Sequence, residues 1–239
     1  MNDQPDIRNS AEDHYRHLAT HPNTVPVASL HPHTVAGLRI DDLTLQIEND
    51  YRLVRICTVP EPYDCWPDVG KLLRERGEIV VPWHQARRPG YGLVLAASTR
   101  GIDDVRGPRL LVPHGGGFGQ YRPWRPLFAS GGCARVTGLD RDQLMRDGHV
   151  RADAIILTHV RELHLLEQTC REALPNAVVA GCIAFDRLVA SLPYRLHYKG
   201  ALNAADGRRT VVVTSTWSPR SAWGFDPKVF HEVVAAFPA

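Results

Sequence analysis

Nothing in this chain is both long and apolar enough to cross a bilayer: no run approaches the roughly 20 apolar residues that a spanning helix needs. The amino terminus, Met1-Asn-Asp-Gln-Pro5, carries neither a basic n-region nor an apolar h-region, so no secretory signal is legible. Charge of one sign is also lacking. Twenty-eight Lys and Arg against 26 Asp and Glu leave a net +2, too little for a general attraction to nucleic acid, and no nucleic-acid partner is expected. The five cysteines (Cys57, Cys65, Cys133, Cys170 and Cys182) are odd in number and contain no C-x-x-C. That argues against a disulfide framework and against a structural zinc site. Cys57, Cys170 and Cys182 lie among apolar residues and read as buried thiols. Together these absences fit a reducing cytoplasm, the compartment expected for the chain. Internal repeats and low-complexity segments are missing as well.

What is present is an ordinary globular composition, 44% hydrophobic and 23% charged over 239 residues. That length is large for one domain and short for two full ones. Residues 1–22 are polar and read as a mobile tail. From there short apolar runs alternate with helical stripes. Strands are expected at Val25–Leu30, Leu53–Val59, Glu78–Pro82, Leu93–Ala97, Leu110–Pro113, Ala154–Leu157, Ala177–Ala180 and Thr210–Thr214. Helices are expected at Thr34–Ile47, Pro67–Arg76, Val160–Leu174, two short ones between 186 and 202, and Pro227–Phe237. Strands alternating with helices imply βαβ units, and continuous apolar strands suit a sheet covered on both faces. The fold class is therefore α/β, a Rossmann-like, mainly parallel sheet over residues 23–205. Residues 206–239, a joint followed by one β-loop-α unit, read as the start of a second domain.

Chemistry concentrates where Leu110-Leu-Val-Pro113 ends at His114 and the glycines Gly115, Gly116 and Gly117 follow. In open α/β sheets the carboxyl edge of the strands is where ligands bind. A neutral imidazole there suits a general base, and the glycine amides suit a phosphate. The alternative is a tight turn whose histidine only bonds the backbone. No Gly-Lys-Ser/Thr follows, so this is not a P-loop, and the G-x-G-x-x-G spacing is incomplete.

Other candidates are weaker. His14, His17, His21, His31 and His33 lie in polar, irregular surroundings without a cysteine, which reads as a solvated tail and not a metal site. No metal and no cofactor is expected. His159 follows a strand and either faces the same edge as His114 or caps the helix after it. Arg122, Arg125 and Arg135, with Trp124, form a basic and aromatic loop suited either to a phosphorylated ligand or to solvent. Ser215 and Thr216 end the last expected strand and can bond a phosphate or open a turn.

In their order and spacing, Leu111-Val-Pro-His-Gly-Gly116, Asp153-Ala-Ile-Ile-Leu-Thr-His159, Gly181-Cys-Ile-Ala-Phe-Asp-Arg-Leu188 and Val211-Val-Val-Thr-Ser-Thr-Trp-Ser218 resemble segments of one family. This is the CDP-glycerol glycerophosphotransferase family, enzymes of GT-B architecture related to teichoic acid polymerases, and the likeness is to its divergent actinobacterial branch. It covers roughly residues 50–225. It implies that His114 is the base toward an acceptor hydroxyl, that the donor is a nucleotide-activated glycerol phosphate or sugar, and that no metal takes part. It further implies peripheral association with the inner face of the membrane and a role in cell-wall synthesis. The candidate phosphate contacts Gly115, Gly116, Gly117, Arg122, His159, Ser215 and Thr216 rest on the residues themselves, since only the role of His114 carries over from the family. The chain departs from the pattern at Phe118-Gly-Gln120, where the family has a lysine, and at Ser218, where it often has arginine. The family's donor-binding half would lie beyond Ala239. On that reading the chain is the acceptor half, inactive alone, with an unpaired last strand on which copies pair. A UDP-sugar 2-epimerase-like protein and a non-catalytic binding module are the competing readings.

Overall fold

The computed structural model describes residues 24–44, 53–60, 69–87, 90–115, 117–118, 136–204, 212, 226 and 228–236. Two compact units divide the chain, residues 1–190 and 191–239. The expected tail at 1–22 and the expected joint at 205–209 lie outside the described residues.

The first unit is an α/β, Rossmann-like domain. Its strands are β1 (Val25–Leu30), β2 (Leu53–Thr58), β3 (Leu93–Ala96), β4 (Arg109–Leu111), a small hairpin of β5 (Met145–Arg146) and β6 (His149–Val150), β7 (Ala154–Leu157) and β8 (Ala177–Val179). Six of them form one sheet in the order β2-β1-β3-β4-β7-β8, and every pair in it is parallel. The strand expected at Glu78–Pro82 shrinks to a single parallel bridge, Val80 with Cys57 of β2. Pro82 has no amide to donate, so the ladder stops before it. Counting that stub, the spatial order in chain numbering is 3-2-1-4-5-6-7, the doubly wound order whose switch point lies between β1 and β3.

Helices cover both faces. α1 (Thr34–Thr44) sets Ala36 and Ile40 against Val27, Leu95, Ala97 and Val112. α2 (Val69–Glu75) adds Val69 and Leu73 beside Cys57. On the opposite face a larger core joins Ala28, Leu30, Ile56, Val94, Ala96, Leu111 and Ile155 of the sheet. It packs on Trp83 of α3 (Trp83–Ala86), Leu144 of α4 (Arg141–Leu144) and Leu166 of α5 (Val160–Thr169). Strand residues thus alternate between two buried faces, as a continuous apolar strand requires.

Local chemistry sets the ends. Gly77 stops α2 with φ of 78°, its amide bonding the Arg74 carbonyl. The helix expected to run to Leu174 ends at Thr169 and becomes a 3-10 turn over Arg171–Asn176 that includes Pro175. A proline there clashes with the carbonyl four residues back in an α-helix, and the chain tightens instead. Cys57 and Cys170 are buried as expected, but Cys182 is half-exposed because it opens α6 (Ile183–Ser191) after edge strand β8.

Within the second unit, a 3-10 turn at Leu192–Tyr194 leads into α7 (Arg195–Ala201), and α8 spans Lys228–Ala236. Of the expected strand Thr210–Thr214 only Val212 is among the described residues.

Candidate functional site

Parallel register places three strand ends in one row. Leu30 of β1 pairs with Ala96 of β3, and Ala96 pairs with Leu111 of β4. Each strand then leaves the sheet at the same level. The three exits are His31-Pro-His33, Ala97-Ser-Thr-Arg100 and Val112-Pro-His114. His33 and His114 each stand three residues past a row residue, across the switch point where doubly wound sheets bind ligands. Both exits read Leu-x-Pro-His. The proline ends the ladder by its missing amide and directs the next residue outward.

His114 is exposed, and its Nδ1 lies 3.2 Å from the carbonyl oxygen of Ala97. A carbonyl only accepts, so Nδ1 carries the proton and the Nε2 lone pair is left for a ligand. The His33 ring meets the His114 ring edge-on, with centroids 5.1 Å apart and planes at 82°. The Nδ1 of His33 accepts the amide of Ala36 at 3.2 Å, in the first turn of α1. His33 is therefore the opposite tautomer, with its proton on Nε2. Half-burial, then His114, then Arg100 hold its pKa below the usual histidine value.

His31 and His33 do not belong to a solvated tail, contrary to expectation: one is buried and the other half-buried. They cap β1, and His31 is only 1% exposed. His31 packs on α1, where a Cβ on Gly37 would come within 2.6 Å of its Nδ1. Its Nε2 has no hydrogen-bond partner, and burial, opposed by Asp41 and reinforced by Arg55 and Arg76, pushes its pKa down to about 4. The repeated Leu-x-Pro-His was the signal that could have found His33 beforehand.

Two clasps hold the edge. Glu162, buried in the first turn of α5, accepts the amide of Thr158 at 2.6 Å and the amide of Phe118. Gly117 lies between them with φ of 133°, and a Cβ there would run into the Glu162 carboxylate and, at 2.7 Å, the Thr158 hydroxyl. The glycine at 117 is thus required by the carboxylate behind it as well as by its backbone angle. Arg151 secures the exit of β3. Its guanidinium grips both oxygens of Asp103 through Nε (3.1 and 2.9 Å), the Gln143 carbonyl (2.9 Å) and the Thr99 carbonyl (2.6 Å). The segment that presents the Ala97 carbonyl to His114 is fixed in this way.

His159 is the N-cap of α5, its Nδ1 accepting the amide of Arg161 at 3.1 Å. Gly115 is described and exposed, whereas Gly116, Arg122, Arg125, Trp124, Arg135, Ser215 and Thr216 lie outside the described residues. Cys57 is an inert thiol pushed up to about 12, first by burial. Among the described residues no group of three or more His, Cys, Asp or Glu is placed to hold a metal ion, and no helix is long and apolar enough to cross a membrane. No family model, no curated protein and no solved structure matches the chain.

Proposed function

We propose that the Rossmann-like unit is the acceptor-side domain of a group-transfer enzyme, with His114 as general base. The observation that carries this reading is the Nδ1 contact of His114 with the Ala97 carbonyl. It leaves an exposed Nε2 lone pair at the carboxyl edge, beside the switch point. Nε2 takes the proton of an acceptor hydroxyl as that oxygen attacks the donor. The attacking oxygen forms a bond to phosphorus, or to a sugar carbon. The bond to the leaving nucleotide breaks, and the nucleotide departs with the electron pair. The resemblance to CDP-glycerol glycerophosphotransferases favours glycerol phosphate as the transferred group, a nucleotide-activated donor and work at the inner membrane face.

The test is a binding screen of CDP-, UDP- and GDP-activated donors against this chain and any extended form of it, followed by transfer from those donors to hydroxyl acceptors in the active, extended form. His114→Ala should lower turnover on the order of a hundredfold or more. Undiminished turnover in that variant excludes His114 as the base.

A further inference from the structure

We propose that His33 is a second functional residue of this site, a neutral imidazole whose Nε2–H donates a hydrogen bond to an oxygen of the substrate that His114 deprotonates. The proposal rests on the reading of His114 as base.

Three observations carry it. The register Leu30–Ala96–Leu111 sets the two histidines at one level above the sheet, and their rings touch edge-on at 5.1 Å. The backbone assigns them opposite tautomers, because the Ala97 carbonyl needs a proton on His114 Nδ1 and the Ala36 amide needs a lone pair on His33 Nδ1. The edge therefore offers one acceptor nitrogen and one donor N–H on two rings in contact, the complement of a hydroxyl with a neighbouring oxygen. Protonating His33 would put a proton on Nδ1 and break the bond to Ala36. The cap therefore keeps His33 a neutral donor, and the nearby Arg100 and His114 act in the same direction. A donor aimed at oxygen in a partly desolvated site holds the acceptor in line for the base.

Two amides separate this role from simple helix capping. In His33→Asn the side-chain oxygen takes the place of Nδ1, so the cap survives and the Nε2–H is lost. In His33→Gln the side-chain NH₂ takes the place of Nε2–H and the cap is lost. We expect His33→Asn to melt like the parent and to lose on the order of tenfold to a hundredfold in kcat/KM in the transfer assay above. His33→Gln should be the less stable protein and retain the larger share of activity. The reverse order of activities reduces His33 to a cap and overturns the proposal. If His33→Asn has parental rates while His114→Ala is inactive, the role of His33 fails and that of the base stands. Nitrogen-15 spectra of the histidines, read on the full chain at pH 7 without any substrate, supply the second measurement. They should show His33 protonated on Nε2 and His114 on Nδ1, and finding His33 protonated on Nδ1 overturns the proposal whatever the assay gives.

Discussion

The carboxylate of Glu162 accepts the amide of Thr158 at 2.6 Å, four residues before it, and so closes the exit of β7 onto the first turn of α5. Its other oxygen reaches the Phe118 amide in the loop after β4. One buried charge thus ties together two neighbouring strand exits, and the helix N-terminus partly neutralises it. Glu162→Ala would leave both amides unpaired, at a cost of about 2–4 kcal/mol. Glu162→Gln keeps one acceptor but turns an NH₂ toward a donor, so it should recover only part of that loss. Urea denaturation measures the cost, and hydrogen exchange at Phe118 reports the loop. Parental protection at Phe118 in Glu162→Ala would show that the clasp is unimportant.

Arg151 tests the second clasp. Its side chain is 13% exposed and points at three partners in different directions, the Asp103 carboxylate and the carbonyls of Thr99 and Gln143. A lysine carries the charge but lacks the planar fork. Arg151→Ala should destabilise the domain by roughly 2–4 kcal/mol, less than for a fully buried pair because Asp103 keeps some water. Arg151→Lys should recover less than half of this. Thermal melts of both variants decide it, and a fully stable Arg151→Lys would show that charge alone suffices.

Most of the sheet was legible because its strands are continuous apolar runs with turn residues at their ends, as at Leu93–Ala96 and Ala154–Leu157. Periodicity could not show how many ladder bonds a run makes, so Glu78–Pro82 read as a strand and formed one bridge. The β5–β6 hairpin carried a usable signal, Asp147-Gly148 with φ of 49° and 82°, as a two-residue turn requires, but its strands are too short to alternate visibly. At the site, His114 was legible because glycines follow it. For His33 the repeated Leu-x-Pro-His marked the position, but its partners Ala36 and His114 were not legible, because the helix start and the parallel register bring them to it. Glu162 was equally hidden, since its role appears only once Phe118 lies across the N-terminus of α5.

Gly37 sets two known effects against each other. Alanine is favoured over glycine inside a helix by about 1 kcal/mol. Here the added methyl would stand 2.6 Å from Nδ1 of His31 and 3.4 Å from its Cε1. The ring is buried and cannot swing into solvent, so the overpacking cost of roughly 1–3 kcal/mol prevails. Gly37→Ala should lower the melting temperature in the parent and raise it in a His31→Ala background, where the obstruction is gone. A higher melting temperature in the parent itself would show that His31 yields freely.

His31 also gives the domain a pH dependence with a defined sign. Its pKa is about 4 in the fold, first because of burial, against about 6.5 in the unfolded chain. Below pH 6.5 the unfolded state therefore binds the proton more readily than the folded one. Stability from this group is complete above that pH, falls as pH drops toward 4, and changes no further once both states are protonated. The loss across this window is on the order of 3 kcal/mol. His31→Leu removes the titration together with the Nε2 that has no partner. Chemical denaturation at pH 7 and at pH 4.5 should show the parent losing markedly more stability than His31→Leu between the two. An equal loss in both proteins would mean that His31 is hydrated in the fold and titrates there as a free histidine does.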